Sequence, residues 1–592
     1  MHGCHGRYWR FDLSAGRGEL VALPEDVLRR YLGGVGLGAW LLWREAPGGI
    51  DPLAPEAPLV FSFSPLVGTP LTTSAKLAVV AKSPLTGFIS DGLSSSHFAI
   101  AGKRLGVDAI VLVGRCAEPS ELVNGSLRPT ALWGASAEEA QRALSVHGRV
   151  AAIGVAGENG VRFATISNDG RHAGRGGLGA LMGAKRLKAL VVQGDTPTRL
   201  ADPERVMALA RELSRRSLGP ATAKYRELGT AANLMAMNRM AMLPTRNFQS
   251  SRFEAAEALS AEELKPVRAR ARAACASCTI GCTHLYQVGD GAIRIEYESL
   301  FALGPLCGNS DPEAVLAAAQ RCDALGLDTI SAGGTIAFAM ECGERGYLPG
   351  APRFGDAEGV LALLGDIAHR RGLGDLLAEG SRRAAQRIGR GSLAFAPQVK
   401  GLEIPGYEPR ALQTLALGFA VGTRGADHNK SGAYEIDFSD RVDRLHGDEH
   451  SARLAIETED RAALIDSLIL CKFLRGVFED FYGECAELLR AVTGWDVSAA
   501  ELHGVARRVV ALRKAFNCRE GWKPADDTLP ERFLGEALRD GASAGARMPR
   551  ERLEAMVRSY NLARGWSEEG YLSLAALRDL GIDASGMERM AP

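Results

Sequence analysis

The first third of the chain alternates apolar and polar residues in short runs, as β-strands do. Residues 8–13 and 19–23 show this alternation on either side of a Gly-containing turn at 14–18, and together they predict a β-hairpin. Further strands are expected at 59–63, 77–81, 108–113, 162–166 and 187–192, with short helices at 24–32 and 137–146. The pattern predicts a sheet domain of mixed topology over residues 1–200.

Helical spacing of apolar residues replaces this alternation near residue 200. Asp202 followed by Pro203 is a typical helix start, because Asp caps free N–H groups and Pro fits the first turn. The periodicity predicts helices at 203–216, 312–325, 358–370, 374–387, 459–475, 482–492 and 499–517. The Pro- and Gly-containing segment 394–410 divides this part, and the highly charged segment 436–455 is expected on the solvated surface. The predicted fold is α+β, with a β-rich domain at 1–200 and two mainly helical domains at 201–396 and 397–592.

The composition is that of an ordinary globular protein, since 46% of the 592 residues are apolar and 24% are charged. The 70 basic residues balance 70 acidic ones, which argues against a nucleic-acid-binding protein. No secretory signal is visible at the N-terminus, and no apolar run approaches the ~18 residues of a membrane span. Eleven cysteines, an odd and sparse set, fit thiols kept reduced for a metal, so a cytoplasmic location is expected.

Three of these cysteines, Cys275, Cys278 and Cys282, lie within eight residues at the spacing C-x2-C-x3-C. A cubane iron–sulfur cluster takes four thiolates, often from a tight run and one distant cysteine. A structural zinc site is the alternative. Zinc sites usually pair one two-Cys knuckle with a second pair, however, and the chain has no other C-x2-C. The spacing therefore favours a cluster.

The fourth thiolate has two candidates. Asp323 and Asp328 are two carboxylates five residues apart at a predicted helix end, and Asp466 and Cys471 repeat this shape. Each of these segments, taken alone, is typical of an ordinary helix end. Because the cluster needs a fourth thiolate, however, Cys471 becomes the first candidate for it. Cys307, 25 residues after Cys282, is the second.

The segment 171–180 contains glycines in the G-x-G-x-x-G spacing, beginning at Gly174. The spacing is that of a dinucleotide-binding fingerprint, which requires a strand running directly into the first glycine. The predicted strand ends too early, near Ile166, and Arg171 and Arg175 lie among the glycines. Arginines beside close-approaching backbone suit a more highly charged phosphate. Phosphate or pterin binding is therefore preferred over a dinucleotide site or a structural loop.

Two further segments carry charges that suit a site, although each is also typical of ordinary surface. Glu296 and Glu298 form an acidic pair after the cysteine run, and such a pair can supply a general base. Arg424, His428 and Lys430 share a loop with flanking glycine. That loop suits anion binding and can present His428 as a hydrogen-bond donor.

In order along the chain, these segments resemble the tungsten-containing aldehyde ferredoxin oxidoreductases, from residue 3 to about 575. The motifs are Lys82–Phe88, Asn168–Gly170 with the glycine-rich segment, the cysteine run, Glu296–Ser299, Gly326–Ser331, Arg424–Lys430 and Asp466–Cys471. The resemblance implies an N-terminal domain of two β-sheets that cradle the cofactor, followed by two mainly helical domains. It also implies tungsten, or molybdenum, held by two pterins beside one [4Fe–4S] cluster, and a Mg²⁺ ion bridging the pterin phosphates.

The resemblance assigns roles to residues of this chain. The cluster ligands would be Cys275, Cys278, Cys282 and Cys471. The pterin contacts would be Arg171, Gly174, Arg175, Asp323, Leu327, Asp328, Arg424, Lys430, Asp466 and Leu470, together with Lys76. Glu298 matches the proposed catalytic base, and His428 matches the histidine near the metal. The implied reaction is oxidation of an aldehyde to a carboxylic acid with oxygen from water, and the electrons would leave through the cluster to ferredoxin or a ferredoxin-like partner.

The chain departs from the family pattern at positions that bear on pterin binding. Lys76 stands where family members carry an Arg, which replaces a planar fork by a point charge. Leu93 and Ser95 occupy positions where Asn and Gly are usual. One residue is missing beside His172, and Leu468–Leu470 lacks the usual Gly.

The chain also differs from the family at the residues that form the dimer contact in some members. Those members hold a bridging iron through an E-x-x-H pair, whereas the corresponding residues here are Ala317 and Gln320. A bridging iron is therefore not expected at this place. The resemblance is still compatible with a homodimer that has no bridging iron.

Three other functions stay open from the sequence. A protein with the same fold and cofactor could instead reduce an aromatic acyl thioester or a carboxylic acid. The altered loop at 91–98 is the reason to keep this alternative open. A nicotinamide or flavin dehydrogenase would use the glycine-rich segment. A non-catalytic electron-transfer subunit would keep only the cluster.

Overall fold

A computed structural model describes residues 1–583 of the chain. Its N-terminal part contains two six-stranded sheets. The first has the spatial order Arg17–Ala22, Arg7–Asp12, Ala109–Val113, Leu59–Ser62, Lys76–Lys82 and Ile89–Ser95. The second has the order Arg171–Ala173, Ile166–Asn168, Arg149–Ile153, Leu187–Val192, Ser120–Val123 and Ser126–Pro129. Each sheet has one parallel strand pair among antiparallel ones, which agrees with the predicted mixed topology.

One predicted strand, 162–166, is misplaced, because most of this segment bonds to the helical part of the chain. The N–H of Arg162 donates to Ala378, that of Thr165 donates to Gly326, and Phe163 accepts from the N–H of Asp328. The strand itself covers Ile166–Asn168, and it turns back at once into Arg171–Ala173. The misplaced segment thus ties the second sheet to the helices.

Six helices accompany the two sheets: Glu25–Tyr31, Gly34–Glu45, His97–Lys103, Ala137–Leu144, Val155–Glu158 and Leu178–Ala184. Gly34–Glu45 was not predicted, and it packs on the first sheet and on helix Glu449–Leu468. Gly34 has φ +46°, and a Cβ there would lie 2.2 Å from the carbonyl oxygen of Asp466. Only glycine allows this close approach, which fixes the position of Asp466 against the sheet.

The remaining part is mainly helical. Its α-helices are Pro203–Arg216, Ala223–Leu228, Asn233–Arg239, Ala261–Arg268, Tyr297–Leu303, Pro312–Leu325, Thr329–Glu344, Ala357–His369, Leu373–Leu377, Ser381–Ile388, Gln413–Val421, His428–Ser431, Tyr434–Asp437, Glu449–Leu468, Phe481–Thr493, Ala499–Arg519, Glu531–Gly535, Arg550–Ala563 and Leu574–Asp579. Among residues 1–583, no helix is long and apolar enough to cross a membrane. The α+β prediction is confirmed.

Two helix predictions need correction. The segment 374–387 forms two helices, because Gly380 adopts φ +84° between them. The helix predicted at 459–475 begins ten residues earlier and ends at Leu468. Asp448 caps its start in a reciprocal box with Ser451, and Ile469 ends it with φ +64°. Part of the charged segment 436–455 is therefore a helix with a buried face, rather than solvated surface.

A small three-stranded sheet lies within the helical part. Its strands are Ala269–Ala273, Thr283–Val288 and Gly291–Arg294, in that spatial order. Strands Gln398–Val399 and Leu402–Glu403 form a separate pair. The Cys275–Cys282 run connects the first two strands of the small sheet. The predicted domain limits near 200 and 396 stay predictions, and residues 584–592 of the third predicted domain lie outside the described residues.

Candidate active site

A cavity of about 400 Å³, termed the inner cavity, lies between the sheets and the helical part. The residues around it come from segments far apart in the chain. Of the predicted site residues, those that line it are Lys76, Arg171, Gly174, Arg175, Cys275, Cys282, Glu298, Arg424, His428, Lys430, Asp466 and Cys471. Leu93, Ser95 and His172, where the chain departs from the family pattern, also line it.

The other predicted site residues lie behind this lining and hold parts of it. Asp323 lies 3.2 Å from the Nε2 atom of His172. Asp328 caps helix Thr329–Glu344. The carbonyl oxygen of Leu470 accepts a hydrogen bond from Lys76 at 3.4 Å. Leu327 forms a β-bridge with Ala164, and Cys278 lies in the loop between the lining cysteines.

Two buried arginines meet on one side of the inner cavity. Arg175, in a left-handed conformation with φ +69°, donates to the carbonyls of Ala426 and Glu403. Arg424 donates to the carboxylate of Asp427 at 2.8 Å and to the carbonyl of Gly174 at 2.7 Å. The Nε atoms of both arginines are buried without a hydrogen-bond partner among residues 1–583.

Unsatisfied buried donors beside a cavity suit a polar ligand bound in that cavity. Guanidinium groups bind phosphate oxygens strongly, so the two free Nε–H groups fit an anionic cofactor bearing phosphate. The residues present therefore fit the pterin cofactor that the resemblance implies.

A buried ion-pair network holds Lys430 and Asp466, which also line the inner cavity. Lys430 pairs with both Asp91 and Asp466, and Arg513 donates to Asp91 at 2.9 Å. Burial alone would raise the pKa of Asp91, but Lys430 and Arg513 outweigh it and lower that pKa to about 2. Lys472 lies 3.0 Å from Asp466. The network has three cations and two carboxylates, so its ion pairs fix the positions of Lys430 and Asp466 and leave one net positive charge at the cavity.

Asp91 and Arg513 were missed by the sequence analysis. Arg513 directly follows the apolar run 509–512 of helix Ala499–Arg519, which is a local signal, whereas Asp91 is buried in the mixed strand Ile89–Ser95, which gives none. Buried charges require partners.

Glu298 begins helix Tyr297–Leu303 and faces the inner cavity. Its Oε2 atom accepts a hydrogen bond from the N–H of Gly406 at 2.9 Å, whereas Oε1 has no hydrogen-bond partner among the described residues. Burial raises the pKa of Glu298 to about 7, and the neighbouring carboxylates of Asp427 and Asp328 act in the same direction. The Gly406 N–H and Arg175 oppose this shift. A carboxylate with one free oxygen and a pKa near neutrality is suited to accept a proton.

His428 lies beside Glu298, with 3.6 Å between its Nε2 atom and Oε1 of the carboxylate. Burial lowers the pKa of His428 to about 3 and outweighs the opposing effect of Asp427, so the ring is neutral. The amide nitrogen of Asn429 lies 2.9 Å from Nε2. Since an amide NH₂ only donates, Nε2 accepts and the ring proton is on Nδ1, which has no partner within residues 1–583.

A larger chamber of about 970 Å³, termed the outer chamber, adjoins the inner cavity. A row of aromatic rings lines it from the surface inward. Phe438, which is 43% exposed, lies 6.1 Å from Tyr434 between ring centroids. Tyr434 stacks on Tyr407 at 5.4 Å, and Tyr407 lies 4.8 Å from the His428 ring. This row leads an apolar molecule from solvent to His428.

The inner cavity and the outer chamber share one wall. The residues that line both are Glu296, Glu298, His428, Asn429 and Phe473. Glu298 and His428 are therefore the two candidate catalytic side chains that face a cofactor space on one side and a substrate space on the other.

The cysteine run lies at the rim of the inner cavity. Cys275, Cys282 and Cys471 line this cavity. Burial raises the pKa of Cys278, and Cys471 and Cys275 add to the rise, which places these thiols in one electrostatic neighbourhood. Cys307 is instead fully buried in helical surroundings, where its thiol donates to the carbonyl of Ala302 at 3.3 Å. Within residues 1–583, no group of three His, Cys, Asp or Glu side chains is arranged to hold a single metal ion. A cubane instead takes one thiolate on each of four irons.

The glycine-rich segment does not form a dinucleotide turn. Arg171–Ala173 is an edge strand antiparallel to Ile166–Asn168, and helix Leu178–Ala184 begins only after Gly177. A dinucleotide fingerprint needs a strand of a parallel sheet that turns directly into the helix at the first glycine. The structure therefore favours the phosphate or pterin interpretation of Arg171 and Arg175.

Two sheets under a helical part, with a cation-lined cavity beside a loop of thiols, define a cofactor-dependent oxidoreductase. Comparison with known proteins then gives the family. The chain belongs to the aldehyde ferredoxin oxidoreductase family: the model of the family's N-terminal domain matches residues 8–194, and the model of its domains 2 and 3 matches residues 209–582. The family prediction is confirmed, and the chain is an oxidoreductase of a family that uses tungsten and a pterin cofactor.

Relatives with three different descriptions match almost the whole chain. Tungsten-containing aldehyde ferredoxin oxidoreductases of Pyrococcus furiosus and Thermococcus kodakarensis are both 36% identical, over 98% of this chain and 99% of theirs. An aliphatic sulfonate oxidoreductase, WOR-like subunit, of Pyrococcus furiosus is 28% identical over 99% of this chain and 98% of its own. A solved structure, the active site complex BamBC of benzoyl coenzyme A reductase with 1,5-dienoyl-CoA, matches with a TM-score of 0.82 and 25% identity over 99% of both chains.

Proposed function

We propose that the protein oxidises aldehydes to carboxylic acids. The balanced half-reaction converts aldehyde and water to acid, two protons and two electrons. The observation that carries the proposal is the free Oε1 atom of Glu298, which faces both the inner cavity and the outer chamber beside a neutral His428. The aldehyde oxidoreductases among the relatives support the same reaction.

The chain's own residues have defined roles in this proposal. When bound in the inner cavity, the tungsten–pterin group supplies the two-electron redox chemistry. Glu298 accepts a proton from water at Oε1, which makes the oxygen more nucleophilic towards the carbonyl carbon. The Nδ1–H group of His428 donates to the aldehyde oxygen and stabilises the negative charge that develops there. The aromatic row excludes water and orients the substrate.

The electron path and the cofactor contacts complete the proposal. Cys275, Cys278, Cys282 and Cys471 would hold a [4Fe–4S] cluster, which would supply one-electron transfer to ferredoxin or a ferredoxin-like partner. The residues that would hold the pterins are Lys76, Arg171, Gly174, Arg175, Asp323, Leu327, Asp328, Arg424, Lys430, Asp466 and Leu470, and a Mg²⁺ ion would neutralise part of the charge of the pterin phosphates. A cytoplasmic location and a homodimer without bridging iron belong to the same proposal.

A second candidate function keeps this centre but reduces an aromatic acyl thioester or a carboxylic acid. Two observations favour it: the aromatic lining of the outer chamber and the structural similarity to an enzyme solved with 1,5-dienoyl-CoA. The two functions differ in the direction of electron flow. An aldehyde panel with viologen dye tests the first, and benzoyl-CoA with chemically reduced dye tests the second.

Elemental analysis of anaerobically purified protein tests the cofactor proposal. We expect about one tungsten or molybdenum and about four irons per chain, with matching acid-labile sulfide, since four thiolates hold a cubane. Aldehyde-dependent reduction of viologen should accompany this metal content. If the protein contains iron but no tungsten or molybdenum after expression in a host that makes the cofactor, only the role of an electron carrier would remain. Zinc in place of iron would overturn the cluster assignment.

The pKa of Glu298 gives the expected pH dependence. Only the carboxylate form accepts a proton, and burial raises this pKa to about 7. The kcat/KM for aldehyde oxidation with viologen should therefore rise with pH through about 7 and level off above it. The variant Glu298→Asp should shift this limb, because a shorter side chain changes both burial and the bond to Gly406. A profile that falls over the same interval would contradict the assignment of Glu298 as the base.

A further inference from the structure

An exposed basic strand leads directly into the cysteine run. Strand Ala269–Ala273 has the sequence Ala-Arg-Ala-Arg-Ala, every residue of it is exposed, and it is an edge strand of the small sheet. Between residues 265 and 289 the chain has four basic residues and no acidic one. Glu262 and Glu263 precede this stretch, Asp290 follows it and Glu313 pairs with Arg268, so the excess positive charge is that of Lys265, Arg270 and Arg272.

Arg270 stands out within the strand. The ladder pairs Ala269 with Tyr286 and Ala271 with Leu285, so Arg270 is the extra residue of a β-bulge. Bulges redirect a side chain away from the ladder. Arg270 is exposed and, within residues 1–583, makes no hydrogen bond or ion pair.

The neighbouring arginines are already bonded. Arg268 pairs with Glu313, and Arg272 donates to the carbonyls of Ile280 and Gly281, both at 2.6 Å. Arg272 therefore ties the edge strand to the loop that carries the cysteines. The loop itself reaches the surface, since Ser277 and Thr279 are exposed.

We propose that this strand and loop, residues 265–279, form the docking surface for an acidic iron–sulfur protein that accepts one electron at a time. The proposal rests on the proposed function, because the cluster at Cys275, Cys278, Cys282 and Cys471 is the source of the electrons. A partner bound to the strand would lie against the cluster loop. Each aldehyde oxidised reduces two oxidised partner molecules by one electron each, which balances the two electrons released.

Charge complementarity determines the kind of partner. Exposed rim charges act mainly on the association rate, and a surface rich in arginine attracts an acidic protein through long-range attraction. An edge strand whose only task is to avoid self-association needs charge of either sign. Both charges of the strand itself are arginines, and Arg270 is the one of the two that makes no hydrogen bond or ion pair within residues 1–583.

The test uses the full holoenzyme with an acidic bacterial ferredoxin and, separately, methyl viologen as acceptor. We expect Arg270→Glu to lower kcat/KM for ferredoxin by ~10-fold at low ionic strength and to leave the rate with viologen unchanged. The loss should shrink as salt is added, because salt screens exposed charges. Arg558→Glu is the control for the change of charge, since Arg558 is an exposed arginine, 3.9 Å from Glu568, on helix Arg550–Ala563, which packs mainly on helix Glu449–Leu468.

Several outcomes would overturn the proposal. Equal ferredoxin kinetics for Arg270→Glu and the unchanged protein would do so, as would equal losses in Arg270→Glu and Arg558→Glu. Self-association that Arg270→Glu abolishes would assign the strand to an interface between copies instead. If the protein fails to reduce viologen with any aldehyde, the proposed function is contradicted. The docking surface is then tested by measuring ferredoxin binding directly. The Kd for ferredoxin, measured without turnover, should then rise in Arg270→Glu and stay constant in Arg558→Glu.

Discussion

Replacing Glu298 with glutamine should lower aldehyde oxidation by ~10²–10⁴-fold while the metal content stays complete, because a positioned general base contributes about this factor. Glutamine has nearly the same shape and keeps an oxygen that can accept the N–H of Gly406. It cannot accept a proton from water at the position of the free Oε1 atom. The measurement is kcat/KM with viologen, together with tungsten and iron per chain.

The variant Glu298→Asp is the matched control for this experiment. It keeps the carboxylate but withdraws it from the shared wall of the two cavities, so we expect activity between those of Glu298→Gln and the unchanged protein. Near-normal turnover of Glu298→Gln with full metal content would remove Glu298 from the mechanism. A loss of tungsten in Glu298→Gln would make Glu298 a residue that holds the cofactor.

Replacing Cys471 with serine should remove the iron–sulfur cluster. A hydroxyl is a much poorer ligand for cluster iron than a thiolate. Cys471 is the one proposed ligand that lies outside the cysteine run. We expect iron and acid-labile sulfide to fall to a small fraction of those in the unchanged protein. Electron delivery to ferredoxin should disappear with them.

Cys307→Ser is the paired control, because Cys307 was the other candidate for the fourth thiolate. Its buried thiol donates to the carbonyl of Ala302, and a serine hydroxyl can make the same bond. Iron per chain should therefore stay unchanged in Cys307→Ser. The reverse result, with iron retained in Cys471→Ser and lost in Cys307→Ser, would exchange the two assignments.

Elements with explicit local signals were predictable from the sequence. Helices Pro203–Arg216 and Pro312–Leu325 have the predicted limits, because an Asp cap followed by Pro marks each start. Helix Gly34–Glu45 gave no such signal. It has three glycines and apolar residues on nearly every side, since it is buried between the first sheet and helix Glu449–Leu468. Tertiary packing, rather than periodicity, decides its structure.

The candidate site shows the same division. Motifs with local spacing, such as the cysteine run and the loop at 424–430, were predictable, whereas their buried partners were not. Asp91 bonds to Lys430 across 339 positions and to Arg513 across 422. A single sequence carries no signal for a pairing of that range. Asp91 itself lies among Ser and Gly residues in strand Ile89–Ser95, so its burial has no local signal either.

The lining of the inner cavity also has a consequence for how the enzyme is assembled. Its residues extend from Lys76 to Phe473, so the cavity forms only when most of the chain has folded. Arg175 and Arg424 each have a buried Nε–H without a hydrogen-bond partner among residues 1–583, which a bound anionic cofactor would satisfy. Because such a ligand binds only the assembled cavity, its insertion should stabilise the folded chain, and the cofactor-free chain should unfold at a lower temperature.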